Sequence, residues 1–241
     1  MTGPALADLI ARRVAGEPLE HLFGWVSFAG STYVVTPGVF VPRRRSELVV
    51  RLAVEIASDK VQVPSAELPA FRRSLSPLVV DLCCGSGAIG AAISRELPEA
   101  EVWAADMDPR AVACARQNLP PHRVVEGDLY DALPAELRGR IDVVAVNSPY
   151  VPTDAIATMP PEARDHEPRV ALDGGTDGLD LHRRVLAEAA PWLVPGGAVV
   201  IETSQAQAQG TLAAATSVGF DARVETDGAD ATAVVATAPY C

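Results

Sequence analysis

The chain has 241 residues, is 49% hydrophobic and carries a net charge of −11 from 20 Lys+Arg against 31 Asp+Glu. That is enough apolar material for one large core, in one domain or two, while so acidic a surface opposes a nucleic-acid backbone as general partner. No apolar run is long enough to cross a membrane, the opening MTGPALADLIARR has no signal-peptide pattern, and Cys83, Cys84, Cys114 and Cys241 show no ligand spacing, so the expectation is a cytoplasmic protein with reduced thiols and no metal.

Residues 5–14 place Leu6, Leu9, Ile10 and Val14 on one helical stripe, which Gly16 and Pro18 end. Residues 22–28 and 32–35 read as strands flanking Ala29-Gly30-Ser31, a hairpin signal. Arg43, Arg44 and Arg45 precede Ser46, an N-cap type, and a helix over 47–58. The three arginines would suit an anion or a cofactor carboxylate, but a solvated turn is the plainer reading. Residues 60–77 read as a linker, so the expected division is 1–76 and 77–241.

From Leu78 strands alternate with helices, which implies a parallel sheet. Strands are expected at 78–82, 101–105, 123–126, 141–146 and 198–202, with helices at 88–97, 109–119, 179–190 and 205–218. Pro195-Gly196-Gly197 reads as a turn, and strands at 220–225 and 232–236 as a terminal antiparallel hairpin.

Two stretches carry chemistry. Gly85-Ser86-Gly87-Ala88-Ile89-Gly90 matches G-x-G-x-x-G between a strand and a helix, a pattern shared by several nucleotide-like cofactors. Asp106 ends the second strand, where a carboxylate accepts bonds from ribose hydroxyls, and Asp128 ends the third, bordering an adenine. Asp81 lies just before the loop; a carboxylate there suits the cationic methionine end of S-adenosylmethionine and repels a pyrophosphate. Asn147-Ser148-Pro149-Tyr150 closes the apolar strand 141–146, since Pro149 cannot extend a ladder. The Asn147 side-chain carbonyl and the Ser148 backbone carbonyl are two acceptors suited to a planar NH2 group, with the Tyr150 ring to cover its face.

DLCCGSGAIG (81–90), AADMDPRAV (104–112), GDLY (127–130), IDVVAVNSPY (141–150) and HEPRVALDGGTDGLDLHR (166–183) occur in the order of the HemK/PrmC-type protein glutamine methyltransferases, which the chain resembles over about 16–207. The resemblance implies a doubly wound, seven-stranded, mostly parallel α/β sheet of the class I S-adenosylmethionine-dependent methyltransferase fold, with a terminal antiparallel hairpin and a small N-terminal β-hairpin segment. It implies methyl transfer from S-adenosylmethionine to a glutamine amide of a protein, typically a peptide chain release factor. Cys83, Cys84, Gly85, Ser86 and Gly87 would wrap the methionine end, and Asp106 with Met107 would border the ribose. Asp128 and Leu129 would lie near the adenine. Asn147, Ser148, Pro149 and Tyr150 would form the catalytic tetrapeptide beside the cofactor, with Glu167, Pro168, Gly174 and Gly175 shaping the wall.

Four departures stand out. Ser148 replaces the family's first proline, Arg44 a usual proline, Arg45 a usual acid and Ser204 a usual glycine. Most of the family's N-terminal helical bundle is also expected to be missing, which bears on substrate grip more than on chemistry. The rival expectations are a nucleic-acid amino-methyltransferase, which the charge opposes, an NAD(P)-dependent oxidoreductase, and a non-catalytic S-adenosylmethionine-binding homologue.

Overall fold

The computed structural model describes residues 3–62 and 76–240. Helix α1 spans Gly3–Val14 and α2 Leu19–Phe23; strands β1 (Trp25–Phe28) and β2 (Ser31–Val34) form an antiparallel hairpin. Helix α2 corrects the reading of residues 22–28 as a strand throughout. Pro18 opens it, and Gly24 closes it in a left-handed conformation with its N–H on the Glu20 carbonyl. Ala29 and Gly30 both take positive φ, as a two-residue hairpin turn requires. A 3-10 turn, Arg44–Ser46, leads into α3, Glu47–Gln62. Most of the expected linker at 60–77 lies outside the described residues.

The remaining elements build the sheet. Strands β3 (Leu78–Leu82), β4 (Glu101–Asp106), β5 (Val124–Glu126), β6 (Ile141–Val146) and β7 (Leu193–Thr203) precede β8 (Asp221–Thr226) and β9 (Thr232–Thr237). Helices α4 (Ala88–Glu96), α5 (Pro109–Ala115), α6 (Pro161–Arg164), α7 (Asp180–Ala189) and α8 (Ala208–Ser217) connect them. The strand order is β5-β4-β3-β6-β7-β9-β8, with β9 antiparallel to both neighbours. The doubly wound sheet and its terminal hairpin are thus as expected. The order reverses between β4 and β6 around β3, which opens a crevice beyond the strand ends.

Boundaries moved where side chains compete for backbone. Pro195-Gly196-Gly197 is no separate turn: β7 runs through it, and the pairing with β6 shifts register between Ile141 and Val143. Helix α8 starts later than expected because Ser204 Oγ and the Ser204 carbonyl hold Gln207 in a turn first.

Both faces of the sheet are covered. Val79, Val143, Ala145, Ala198 and Val200 pack with α3, α4 and Phe28, Tyr33 and Val35 of the hairpin segment. Leu78, Val80, Leu82, Val144, Val146, Val199 and Ile201 pack toward α7 and α8. Side chains alternate along a strand. Asp81 therefore shares the first face with Val79, Asn147 follows Val143 and Ala145 onto it, and Glu202 follows Ala198 and Val200. Three polar groups at neighbouring strand ends thus meet the start of α3 and α4.

Candidate active site

A cavity of about 950 Å³ opens at the carboxyl ends of β3, β4 and β6. Its wall includes Cys83, Cys84, Gly85, Ser86, Asp106, Met107, Asp128 and Leu129 in one half, and Asn147, Ser148, Pro149 and Tyr150 in the other. Of the residues expected at the cofactor or in the pocket wall, Asp81, Gly87, Gly174 and Gly175 do not line it, the last two turning back onto Tyr150 and Asp180 instead. Asp81 is fully buried, and its Oδ2 accepts from Gly90 N at 2.8 Å. Gly87 sits behind the loop in a left-handed conformation, where a Cβ would lie 2.9 Å from Ala115 Cβ.

The glycine half is organised by Asp106. Its Oδ2 accepts from Gly85 N at 2.8 Å and its Oδ1 from Asp108 N at 2.9 Å. One carboxylate thereby fixes the loop after β3 to the start of α5. Gly85 has φ +55 and nothing within 4 Å of where a Cβ would point, so a ligand can approach its backbone closely. Cys83 (φ 59) and Leu129 (φ 47) are non-glycine residues in the left-handed region, and both face this half. Such strain of about 1–3 kcal/mol each collects at ligand sites. Asp128 is bound bidentately by Arg184 at 3.2 and 3.0 Å.

In the other half, Asn147 Nδ2 donates to Ser46 Oγ at 3.1 Å, and Ser46 is fully buried. That bond turns the side-chain amide so that its oxygen, not its nitrogen, is left for a ligand. The Tyr150 hydroxyl donates to Glu202 Oε1 at 3.0 Å, and Arg45 Nε donates to the same oxygen at 2.9 Å. The Arg45 guanidinium lies 5.8 Å from the Tyr150 ring centroid. Burial, then the Glu202 carboxylate, pushes the Tyr150 hydroxyl well above the usual tyrosine range, so it stays a neutral donor. Arg43 pairs with Glu167 at 2.5 Å, and Val41 N donates to the same Glu167 oxygen at 3.2 Å. Two of the three arginines thus bind buried carboxylates, which corrects the reading of a solvated turn.

Burial pushes the Asp81 carboxyl up to about 8. An acid whose pKa rises on folding holds its proton better in the folded state. Stability is therefore lost as pH rises from the ordinary carboxylate range to about 8, by about 1.4 kcal/mol per pH unit at the steepest. Asp81→Asn should remove that slope: in urea unfolding at pH 6 and pH 8, wild type should lose more stability than the variant. Equal losses would mean that Asp81 is not protonated in the fold.

The family model "Methyltransferase small domain" matches residues 63–160. The chain is 35% identical over 220 residues to the release factor glutamine methyltransferase of Geobacter sulfurreducens, covering 90% of this chain and 71% of that one. It is 40% identical over 204 residues to the release factor glutamine methyltransferase of Streptomyces coelicolor, covering 83% and 67%. The chain belongs to the release factor glutamine methyltransferase family. A further relative, from Streptomyces pristinaespiralis, is named 4-amino-L-phenylalanine/4-methylamino-L-phenylalanine methyltransferase and is 35% identical over 201 residues, covering 83% and 65%. Among solved structures, the N-terminal domain of human METTL16 in complex with SAH gives a TM-score of 0.57 at 12% identity, covering 84% of this chain and 74% of that one. The ribosomal protein L11 methylase from Lactobacillus delbrueckii subsp. bulgaricus gives 0.53 at 13%, covering 83% and 81%. These two likenesses show the fold, that of the class I methyltransferases.

Within this family member, the segment after the tetrapeptide is held by close backbone packing. Val151 N donates to the Leu172 carbonyl, Gly174 N to the Val151 carbonyl and Thr153 N to the Gly175 carbonyl. A Cβ on Gly174 would lie 2.7 Å from Tyr150 Cα. Gln207 Nε2 bonds the Tyr150 carbonyl at 2.8 Å and the Asp177 carbonyl at 2.9 Å, while Ser204 Oγ orients it through Oε1 at 2.6 Å. The serine that departs from the family pattern thus has a bonded role. Sequence reasoning missed Ser46 and Gln207 as partners and left Glu202 without one. The period-two alternation of β6 and β7 was the available signal for Asn147 and Glu202.

Proposed function

We propose that this chain transfers a methyl group from S-adenosylmethionine to the side-chain amide nitrogen of a glutamine in a protein, with a release-factor-like protein as substrate. The observation that carries this reading is the Ser46–Asn147 bond, which leaves an oxygen acceptor in the cavity that Gly85 also lines. The glycine half fits the cofactor: Gly85 lacks any neighbour that would block an approaching ligand, and Cys83 and Leu129 hold strained backbone toward the same space. Cys83, Cys84, Gly85 and Ser86 would hold its methionine end, Asp106 and Met107 its ribose side, and Asp128 with Leu129 its adenine. Asp81 would act from behind the loop through Gly90.

When bound, S-adenosylmethionine supplies a methyl group already activated on a sulfonium. The protein's task is alignment and exclusion of water. Asn147 Oδ1 and the Ser148 carbonyl accept the two amide hydrogens of the acceptor. As the nitrogen gains its new carbon bond it becomes positive, and those acceptors stabilise that charge before one proton leaves. Tyr150, fixed by Glu202, walls the passage. No side chain is assigned as base.

The relative named for 4-amino-L-phenylalanine favours a second acceptor class, an arylamine, whose nitrogen is planar enough for the same two acceptors. The test is calorimetry with S-adenosylhomocysteine and NADH, then radiolabelled methyl transfer to a release factor with a Gly-Gly-Gln loop and to 4-amino-L-phenylalanine. We expect S-adenosylhomocysteine alone to bind and the label to appear on the glutamine side chain by mass spectrometry. Label on the arylamine alone would select the second class, and label in nucleic acid would refute both.

A further inference from the structure

Arg45 reaches the cavity with its guanidinium only half engaged. Its Nε is held by Glu202, and the Tyr150 hydroxyl lies within reach of the same guanidinium, while the outer edge faces the cavity. Its side chain is 40% exposed, against 1% for Glu202. Glu202 Oε1 is shared with the Tyr150 hydroxyl, so the carboxylate fixes Arg45 without covering its outer edge. The acids on the acceptor half of the wall are already matched: Glu162 pairs with Arg13, Glu167 with Arg43 and Asp173 with Arg169. That leaves the outer edge of a planar, oriented guanidinium, next to the residue that fixes Asn147, with no second carboxylate paired to it among the described residues. Such a fork-shaped edge recognises a carboxylate through two parallel hydrogen bonds.

Arg45 also borders a second cavity of about 970 Å³, which shares Arg43 and Arg45 with the first and continues past Arg44 and Arg51. Arg51 faces Asp227 across this cavity and, after the backbone amides that Asp227 caps, helps hold its carboxyl below the usual range. This cavity carries acids as well. Glu47 accepts from Ala29 N, and Asp227 from Ala229 N and Ala231 N. Arg43 and Arg45 stand on the wall common to both cavities, so a chain laid across the two openings would lie against Arg45.

We propose that Arg45 is a specificity-determining residue that binds an acidic side chain flanking the methylated glutamine. This rests on the reading of the first cavity as an amide methyltransferase site. The substrate peptide places its glutamine at Asn147 and lays a neighbouring aspartate or glutamate on the Arg45 fork. The sequence departure at this position, an arginine where relatives usually carry an acid, then marks a change in the substrate motif rather than a loss of activity.

The test is calorimetry on the full chain saturated with S-adenosylhomocysteine. The ligands are Ac-Gly-Asp-Gln-Asp-Gly-NH2, its Asn-Gln-Asn counterpart and N-acetyl-L-glutamine. The acidic peptide should bind about tenfold more tightly than the neutral one, and Arg45→Gln should remove most of that ratio. Arg45→Lys should keep part of it, because the charge remains and the fork does not. Equal binding of the two peptides by wild type overturns the proposal without any variant. Tightest binding of N-acetyl-L-glutamine overturns it in favour of a small carboxylate-bearing acceptor. A ratio that survives in Arg45→Gln, or an Arg45→Gln effect confined to S-adenosylhomocysteine affinity, overturns it by assigning the cation elsewhere. Absence of S-adenosylhomocysteine binding by wild type would refute the methyltransferase reading itself, and this proposal with it.

Discussion

Asn147→Ala should lower the rate of methyl transfer by on the order of 10²–10³ while changing S-adenosylhomocysteine affinity less than about threefold. The asymmetry follows from where the side chain sits. Its nitrogen is spent on Ser46, inside the protein, so the oxygen alone faces the acceptor. That oxygen matters most as the nitrogen turns positive, which is a transition-state and not a ground-state demand. Asn147→Asp should retain more activity than Asn147→Ala, because the Ser46 hydroxyl can donate to one carboxylate oxygen and leave the other in place. Single-turnover rates with a saturating glutamine substrate, measured beside calorimetry for the cofactor product, would decide it. Undiminished turnover in Asn147→Ala would remove Asn147 from the chemistry, and an equal loss of ligand affinity would make it a cofactor residue instead.

Gly178→Ala should be the most damaging substitution outside the cavity. Gly178 has φ +74, and a Cβ there would run into the Tyr150 carbonyl oxygen and Gln207 Nε2. The first of these is backbone and cannot swing away. Overpacking and left-handed strain together should cost about 3 kcal/mol, which in a chain of this size lowers Tm by about 6–12 °C. Activity should also fall well below the melting temperature, since the relief available is displacement of Tyr150. Gly228→Ala is the control: its φ is +80, but nothing lies within 4 Å of its Cβ position, so only the conformational strain of about 1 kcal/mol applies. Thermal unfolding of both variants would separate the two costs. A Gly178→Ala shift no larger than that of Gly228→Ala would show that the loop can move without disturbing the tetrapeptide.

Much of the sheet was legible because buried parallel strands read as apolar runs between glycine and proline punctuation, as in residues 78–82 and 141–146. The tetrapeptide was legible for the same reason, since Pro149 marks where the ladder must stop. What stayed hidden depended on register between distant elements. Ser46 meets Asn147 across 101 residues and Arg45 meets Glu202 across 157, and no local pattern encodes either contact. The Asp81 reading failed to use a signal at hand. Leu78, Val80 and Leu82 share one face of β3, so Asp81 had to point with Val79 under α4, and Gly90 N is its partner there rather than the cavity. The apparent turn at Pro195-Gly196-Gly197 hid a register shift within β7 because turns and strand irregularities draw on the same residues.

Asn118 ties two parts of the chain that lie far apart in sequence. Its Nδ2 donates to the Val34 carbonyl and to the Ser86 carbonyl, both at 2.8 Å, and its Oδ1 accepts from Val34 N at 2.9 Å. One short amide is therefore a rivet between the hairpin edge and the loop after β3. A chimera that imports a foreign hairpin onto this scaffold inherits a loosened loop unless it also keeps a backbone pair in register with Asn118.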